Sequence, residues 1–339
     1  MTTYVVNGRF LGVRPTGLHR MARSLLTAAL DAGLEAEVLA PADTDDPLVD
    51  RRLRGPRGRA GGHIFEQVVL PMAARGRTVL SLTNTAPIAG HGVVMVHDLA
   101  PLVGPEWFAR SMRIYVETVL VAARRARRVL TVSAAVAEEL AAHGVDSGRI
   151  TVVRQAVDHR FAPAPTSAVG DVRDRLGLAR PYAVMVGWRD PRKDVATAVD
   201  AHRRVLPDVP HDLVLVGGSH PVFAPVAEPA EPTVRVMGYL PDEDLVPLLS
   251  GASVLLYPSR YEGFGLPPLE ALSCGTAAIV SDIAALREST AGAARMAPVG
   301  DVQAWAAALR ETLGDEGPPP APPSWSWSQA AEQFIAALP

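Results

Sequence analysis

Cysteine is nearly missing from this chain: Cys274 is the only one among 339 residues. An internal disulfide is therefore excluded, and a reducing compartment, the cytoplasm, fits best. The opening residues MTTYVVNGRF lack the basic-then-apolar layout of a secretory signal, which points the same way. Long hydrophobic runs are missing too. Stretches such as AVMVG and SVLLYP fall far short of the ~20 residues that span a bilayer, so any membrane contact is expected to be peripheral, at the inner face. Charge of one sign is not in excess: 36 acidic and 33 basic residues leave a net charge of -3, so no global field draws in nucleic acid. Histidine and cysteine form no ligand cluster, and a bound metal is not expected.

Lysine is as scarce as cysteine. Every basic side chain is Arg except Lys193. The abundance of Ala and Pro suggests a coding bias that trades Lys for Arg wherever a solvated cation suffices. A position that kept Lys is then a candidate for one that needs a compact ammonium.

What is present is a regular alternation. Short Val- and Leu-rich runs alternate with helix-like stretches, the pattern of βαβ units around a parallel sheet, and the length suggests two domains. The fold class is α/β. YVVNG, AEVLA, TVLSL, GVVMVHD, RVLTVS and RITVV read as strands of a first doubly wound domain, with helices at Leu18 to Ala32 and Ala134 to His143. The stretch FAPAPTSAVGD, Phe161 to Asp171, is the best linker. Beyond it YAVMVGW, DLVLVGG, TVRVMGY, ASVLLYPS and AAIVSD restart the pattern. GDEGPPPAPPS, Gly314 to Ser324, is too proline-rich for a helix and reads as an extended tether. The last helix has Trp327, Ala331, Phe334 and Leu338 at helical spacing, a face that must dock. The expected domains are 1–163, 164–320, and a tether and helix over 321–339.

Chemistry concentrates in SRYEGFGLPPLEALSCGTAAIVSD, Ser259 to Asp282. A strand ends, a turn containing Gly263, Phe264 and Gly265 follows, and Pro267 and Pro268 suit a first helical turn whose N–H groups are unpaired anyway. Such a helix start presents amides and a positive dipole end to phosphate or sugar oxygens. Glu262 and Glu270 can face one ligand from different sides. A second strand runs into a loop with Arg189, Arg192 and Lys193, three cations where an open α/β sheet binds ligands. At the N-terminus a strand meets a loop with Gly12 and Gly17 before a helix, and His97 and Asp98 close the strand GVVMV.

The run from Glu262 to Glu270 resembles the donor-site signature of retaining glycosyltransferases of family 4, which have the GT-B fold: two Rossmann-like domains facing a central cleft, with the C-terminal helix crossing back to the first. The likeness extends over nearly the whole chain. It implies that Glu270 holds the donor ribose and that Glu262 lies near the transferred sugar. It further implies that the amides of Phe264, Gly265 and Leu266 contact sugar and diphosphate, and that Arg192 and Lys193 clamp the pyrophosphate. Many members carry Arg directly after the strand-ending glycine; here that residue is Trp188, so Arg192 or Arg189 must substitute. The resemblance places Thr16 and Gly17 near donor phosphate and acceptor, and makes GHIFEQVVLP and the His97–Asp98 segment acceptor-binding. His97 could polarise a hydroxyl or position the acceptor. The nucleotide base is expected against the loop after LVLVGG and around Tyr239 and Leu240. Where the family ends its first domain with Pro, Asn, Gly, Val, Asp, this chain has Arg154 to Asp158.

The expected activity is thus retaining transfer of a hexose or deoxyhexose from a GDP-, UDP- or TDP-sugar to a saccharide, lipid-linked or natural-product acceptor. The PRK form of the basic loop tilts the donor toward a mannose type. No residue stands out as a covalent nucleophile, and the resemblance implies a metal-independent, front-face route aided by the departing diphosphate. A nucleotide-sugar epimerase, a phosphorylase with pyridoxal phosphate on Lys193, and a two-lobed sugar-binding protein are the competing readings. Asp43, Asp45 and Asp46 form a DxD-like run best read as a polar turn ahead of Pro47. The stretch from Arg51 to Gly62, with Arg51, Arg52, Arg54, Arg57 and Arg59, reads as a flexible basic loop able to meet anionic headgroups.

Overall fold

The structure, a computed structural model, describes residues 4–13, 16–55, 58–89, 92–315 and 317–339. The chain divides into two compact units, one comprising Met1–Leu99, Arg113–Ala156 and Trp325–Pro339, the other Ala100–Met112 and Val157–Ser324.

In the first unit seven strands form a parallel sheet: β1 (Tyr4–Asn7), β2 (Ala36–Pro41), β3 (Arg51–Leu53), β4 (Thr78–Ser81), β5 (Val93–Val96), β6 (Arg128–Thr131) and β7 (Ile150–Val152). Their order is β3-β2-β1-β4-β5-β6-β7. Tyr4 pairs with Ala36 on one side and Thr78 on the other, so the winding reverses between β1 and β4. Val5, Val6, Leu39, Leu80 and Val94 are fully buried, as expected of strands with both faces covered by helices. The helix Gly17–Asp31 buries Ala22, Leu25, Leu26 and Ala29 on one stripe. The last helix, Trp327–Ala336, packs against it, capped by Ser326 and Gln329 and anchored by Phe334, which is wholly buried. The Tyr4 hydroxyl donates to the Pro339 carbonyl at 2.9 Å, and the Arg154 N–H donates to Gln333 at 3.3 Å.

The second unit repeats the winding. β8 (Tyr182–Val186), β9 (Asp212–Val216), β10 (Val234–Val236), β11 (Val254–Tyr257), β12 (Ala278–Ser281) and β13 (Arg295–Ala297) lie in the order β10-β9-β8-β11-β12-β13, all parallel. Trp188 and Trp305 fill the core beneath the sheet, each with no exposed surface.

Three local readings need correction. Thr166 to Asp171, read as linker, lies in a helix, Thr166–Leu176, which starts after Pro165 and stops at Gly177 in the left-handed region. The basic stretch from Arg51 is not a loop throughout: Arg51–Leu53 is the edge strand β3, and Gly58–Ile64 is helical. Two adjacent arginines on a short edge strand and glycines in a helix hide both elements from propensity. Ala100–Met112, read as part of the first domain, belongs to the second unit. Phe108 packs on Phe223 at 5.6 Å between ring centroids, and the Ala109 and Ala224 amides donate to Val222 and Trp107.

Candidate active site

A cluster of charged side chains in the second unit lies at the carboxyl ends of β8 and β11. β8 and β9 are followed by Gly187 and Gly217, both at positive φ and so close together that a Cβ on Gly217 would sit 3.1 Å from the Gly187 Cα. Trp188 turns inward to the core rather than outward to a ligand. The chain then makes a tight turn, Pro191–Lys193, fixed from both ends. Asp190 accepts the Arg192 N–H at 3.0 Å and its guanidinium at 2.6 Å. Asp194, left-handed at φ 50°, accepts the Thr197 hydroxyl at 2.9 Å and pairs with Arg260 at 2.9 Å. The Arg260 N–H in turn donates to the Arg192 carbonyl at 2.8 Å, tying this turn to the loop after β11.

That scaffold buries the only lysine. The Lys193 ammonium is 2.5 Å from the Glu262 carboxylate, donates also to the Tyr257 hydroxyl, and sits 4.2 Å from the centre of the Tyr257 ring. Lys193 and Glu262 are each 8% exposed and Tyr257 is wholly buried. Burial first, and then the neighbouring Glu262 carboxylate, hold the Tyr257 hydroxyl well above its usual range, so it stays protonated. An ammonium can serve a carboxylate and a phenol together in so small a space; a planar guanidinium presents its donors in a rigid fork unsuited to it. Arg192 lies beside this group, its guanidinium against the Phe108 and Phe223 rings at 5.5 and 5.8 Å. Arg189 points elsewhere, pairing with Glu228 at 2.8 Å and stacking over Trp188 at 4.2 Å.

Gly263, Phe264 and Gly265 are buried, Phe264 at 3% exposure. Gly265 has φ +91°, and a Cβ there would lie 2.4 Å from Leu286 Cδ2. The helix Leu266–Ser273 starts directly after it, with Glu270 half-buried on its second turn and Gly275 left-handed behind its end. After β10 the Gly238 carbonyl accepts the Gly217 N–H at 3.1 Å, which brings the Tyr239–Leu240 loop to the same end of the sheet. Tyr239 is 55% exposed.

At the strand ends of the first unit, Gly17 opens its helix and the exposed Thr16 donates its N–H to His19 Nδ1 at 3.2 Å. His97 is 4% exposed. Its Nε2 is 2.8 Å from the Leu82 carbonyl and its Nδ1 is 3.3 Å from the Gln155 amide, so a neutral ring with the proton on Nε2 satisfies both. Burial lowers its pKa. With both nitrogens engaged, the ring is suited to positioning rather than proton transfer. Asp98 is half-buried beside it.

Sequence reading missed a further group here. Glu66, 1% exposed, accepts from Asn7 at 3.2 Å and pairs with Arg9 at 2.7 Å. Tyr115 is held above its usual pKa chiefly by burial and then by the Glu66 charge. Glu66 sits on a π-helical turn, Phe65–Val69, a rare distortion often found at functional sites. The only signal in the sequence was an acidic residue inside the apolar run IFEQVVL. In the second unit Asp190, Asp194 and Tyr257 were likewise missed; Asp before Pro was the available clue to a capped turn.

Asp46 pairs with Arg23 and Asp45 with Arg52, and among the described residues no group of three His, Cys, Asp or Glu is arranged to hold a metal. Arg51 pairs with Glu37 at 3.1 Å. Of the arginines expected at a membrane, Arg54 is exposed, Arg57 lies outside the described residues, and nothing is described of the Arg59 side chain. Among the described residues no helix is long and apolar enough to cross a membrane.

Residues 15–161 match the family described as Glycosyltransferase Family 4, and residues 180–315 that described as Glycosyl transferases group 1. O-antigen chain mannosyltransferase B of Escherichia coli is 31% identical over 235 residues, 66% of this chain and 61% of that protein. The chain thus spans less than two thirds of the length of that relative. Alpha-maltose-1-phosphate synthase of Mycobacterium tuberculosis strain H37Rv is 29% identical, with 84% of each chain covered. The crystal structure of Anabaena HepE in complex with UDP-glucose superposes with a TM-score of 0.69 at 17% identity, covering 98% of this chain and 94% of that one. The fold is GT-B.

Proposed function

We propose that the protein is a retaining hexosyltransferase that takes a sugar from a nucleotide diphosphate donor, a mannose type favoured, and passes it to a saccharide or lipid-linked saccharide. The observation that carries this reading is the buried Lys193–Glu262–Tyr257 group beside Arg192 and the Leu266–Ser273 helix start. A buried ammonium, a half-buried guanidinium and the amides of a helix start at one strand end suit a diphosphate, and carboxylates suit neutral sugar hydroxyls. The O-antigen relative, a mannosyltransferase, supports the sugar assignment.

In this reading Arg192, Lys193 and the amides of Phe264, Gly265 and Leu266 take up the charge that develops on the departing diphosphate. Glu262 orients the transferred sugar while its charge is matched by Lys193, and Glu270 holds the ribose. Tyr239 and Leu240 border the base, and Gly187 and Gly217 keep the strand ends clear of side-chain bulk. The diphosphate oxygen released on the same face accepts the acceptor proton, so neither a protein nucleophile nor a metal is required. Thr16, Gly17, His97 and Asp98 contribute to acceptor binding, with His97 acting by position. Arg54 provides a contact with anionic headgroups at the membrane.

The test is thermal stabilisation and donor turnover across UDP-, GDP-, TDP- and ADP-sugars for wild type, Lys193→Ala and Glu270→Ala, with and without a chelator. Bound donor stabilises the fold by linkage. We expect one nucleotide class to stabilise wild type, both variants to lose that response, and the chelator to change nothing. A donor response equal in all three proteins overturns the site assignment, and turnover without a transferred product overturns the reaction.

A further inference from the structure

Ala100–Met112, between β5 and the body of the helix Arg110–Arg125, is part of the second unit. Its course is set locally. A Cβ on Gly104 would lie 2.2 Å from Trp107 Cε3, so a side chain there would displace the tryptophan ring from over the turn. The Trp107 and Phe108 amides donate to the Gly104 and Pro105 carbonyls at 3.0 and 3.3 Å. Beyond that turn Phe108 is extended and forms an antiparallel bridge with Phe223. The Ala109 amide donates to Val222 at 2.9 Å and the Ala224 amide to Trp107 at 2.8 Å, bonds that flank the pair rather than join it. Opposed residues of that kind bring their side chains closest, on one face. The two rings accordingly meet at 5.6 Å between centroids, tilted by 49°.

What this ring pair faces is Arg192. The guanidinium carbon lies 5.5 Å from the centre of the Phe108 ring and 5.8 Å from that of Phe223, both within cation–π range. Asp190 holds one edge of the same group, with Nε 3.0 Å and Nη2 2.6 Å from Oδ2. Its other oxygen accepts the Arg192 backbone N–H at 3.0 Å, so one carboxylate fixes main chain and side chain together. A long arginine left in water samples many rotamers, and ordering it on binding costs affinity. Here a carboxylate and two rings, from three separate segments, have ordered it in advance, and the side chain keeps 13% of its surface. The rings add no charge. A second carboxylate in their place would order the guanidinium equally and oppose an anionic ligand.

We propose that Phe108 is a positioning residue of the donor site: paired with Phe223, its ring holds the Arg192 guanidinium in the direction from which it meets the donor diphosphate. The segment that follows the His97–Asp98 strand end thus serves the donor as well. This inference rests on the reading of Arg192 as a diphosphate ligand, and the experiment separates the two.

UDP, GDP, TDP and ADP are titrated calorimetrically into wild type, Phe108→Leu, Phe108→Tyr, Arg192→Ala and the double variant Phe108→Leu/Arg192→Ala. For the diphosphate that binds wild type, Phe108→Leu raises Kd about fivefold, the size of one lost cation–π contact. Phe108→Tyr, which keeps the ring, binds as wild type does. In the Arg192→Ala background Phe108→Leu has no further effect, because the ring acts only through that guanidinium. Phe223→Leu reads the same contact from the other side and replaces Phe108→Leu if the latter does not fold. A ring effect that persists without Arg192 marks a merely structural role and overturns the inference. So does wild-type affinity in Phe108→Leu where Arg192→Ala binds weakly, and either result leaves the donor reading standing. Unchanged affinity in Arg192→Ala, or no binding of any of the four to wild type, removes the donor reading of Arg192 and the inference with it.

Discussion

The two units wind their strands in the same order, yet their carboxyl strand ends are built differently. In the second, nearly every polar group comes from two short continuous segments, Asp190 to Asp194 and Tyr257 to Glu270. In the first, four distant segments contribute one group: Asn7 and Arg9, Glu66, His97, and Tyr115. The second site is a compact ion cluster facing helix amides, suited to an anion. The first neutralises its buried carboxylate internally and holds its histidine neutral, which suits a hydroxyl-rich ligand. One winding thus carries two different polar groups at its strand ends.

Four changes would break or sharpen that contrast. Lys193→Ala removes the ammonium from the second unit, and we expect turnover to fall on the order of 10²- to 10³-fold, as for loss of one oxyanion donor. Steady-state kinetics checks it. The counterpart in the first unit, Glu66→Ala, strands Arg9 and Asn7; since Arg9 is partly exposed, the cost is about 1–3 kcal/mol, read by urea unfolding, with nucleotide-induced stabilisation unchanged. Tyr257→Phe keeps the ring under Lys193 and removes only the hydroxyl, so a loss of about tenfold in kcat with little change in stability is expected. The smallest effect is in pH dependence. The folded-state pKa of His97 is lowered from 6.5 by burial, so its contribution to stability is complete above that value and is lost as pH falls below it. His202 and His211 in the second unit act in the same direction. Replacing His97 by Gln should reduce the slope of unfolding free energy below pH 6.5 by about 1.4 kcal/mol per pH unit, one proton's worth.

Much of this architecture was legible because local rules agreed with the global fold. Runs such as YAVMV and DLVLV are buried strands that periodicity finds easily, and EGFGLPP announces a left-handed turn and a helix start in consecutive residues. The scarcity of lysine singled out Lys193 before any geometry was known. What escaped was non-local. β3 and β13 are three-residue strands whose Arg-containing sequences carry no β signal, and they exist because a neighbouring strand edge offers ladder partners. Tyr257 looked like one more apolar strand residue; its role arises from register, which aims it at a lysine 64 residues earlier. Glu66 reads as an interruption of a hydrophobic run until Arg9, 57 residues away, supplies its counter-charge.

The rarity of lysine has a practical corollary. A protease specific for lysyl bonds finds one susceptible bond in this chain, Lys193–Asp194, and both flanking residues are buried at 8% exposure. When opening and reclosing are fast relative to cutting, cleavage there tracks the fraction of molecules in which the turn has come apart. The chain therefore carries its own gauge of local opening at the candidate donor site, and a ligand that occupies that site should slow appearance of the two fragments in proportion to its saturation.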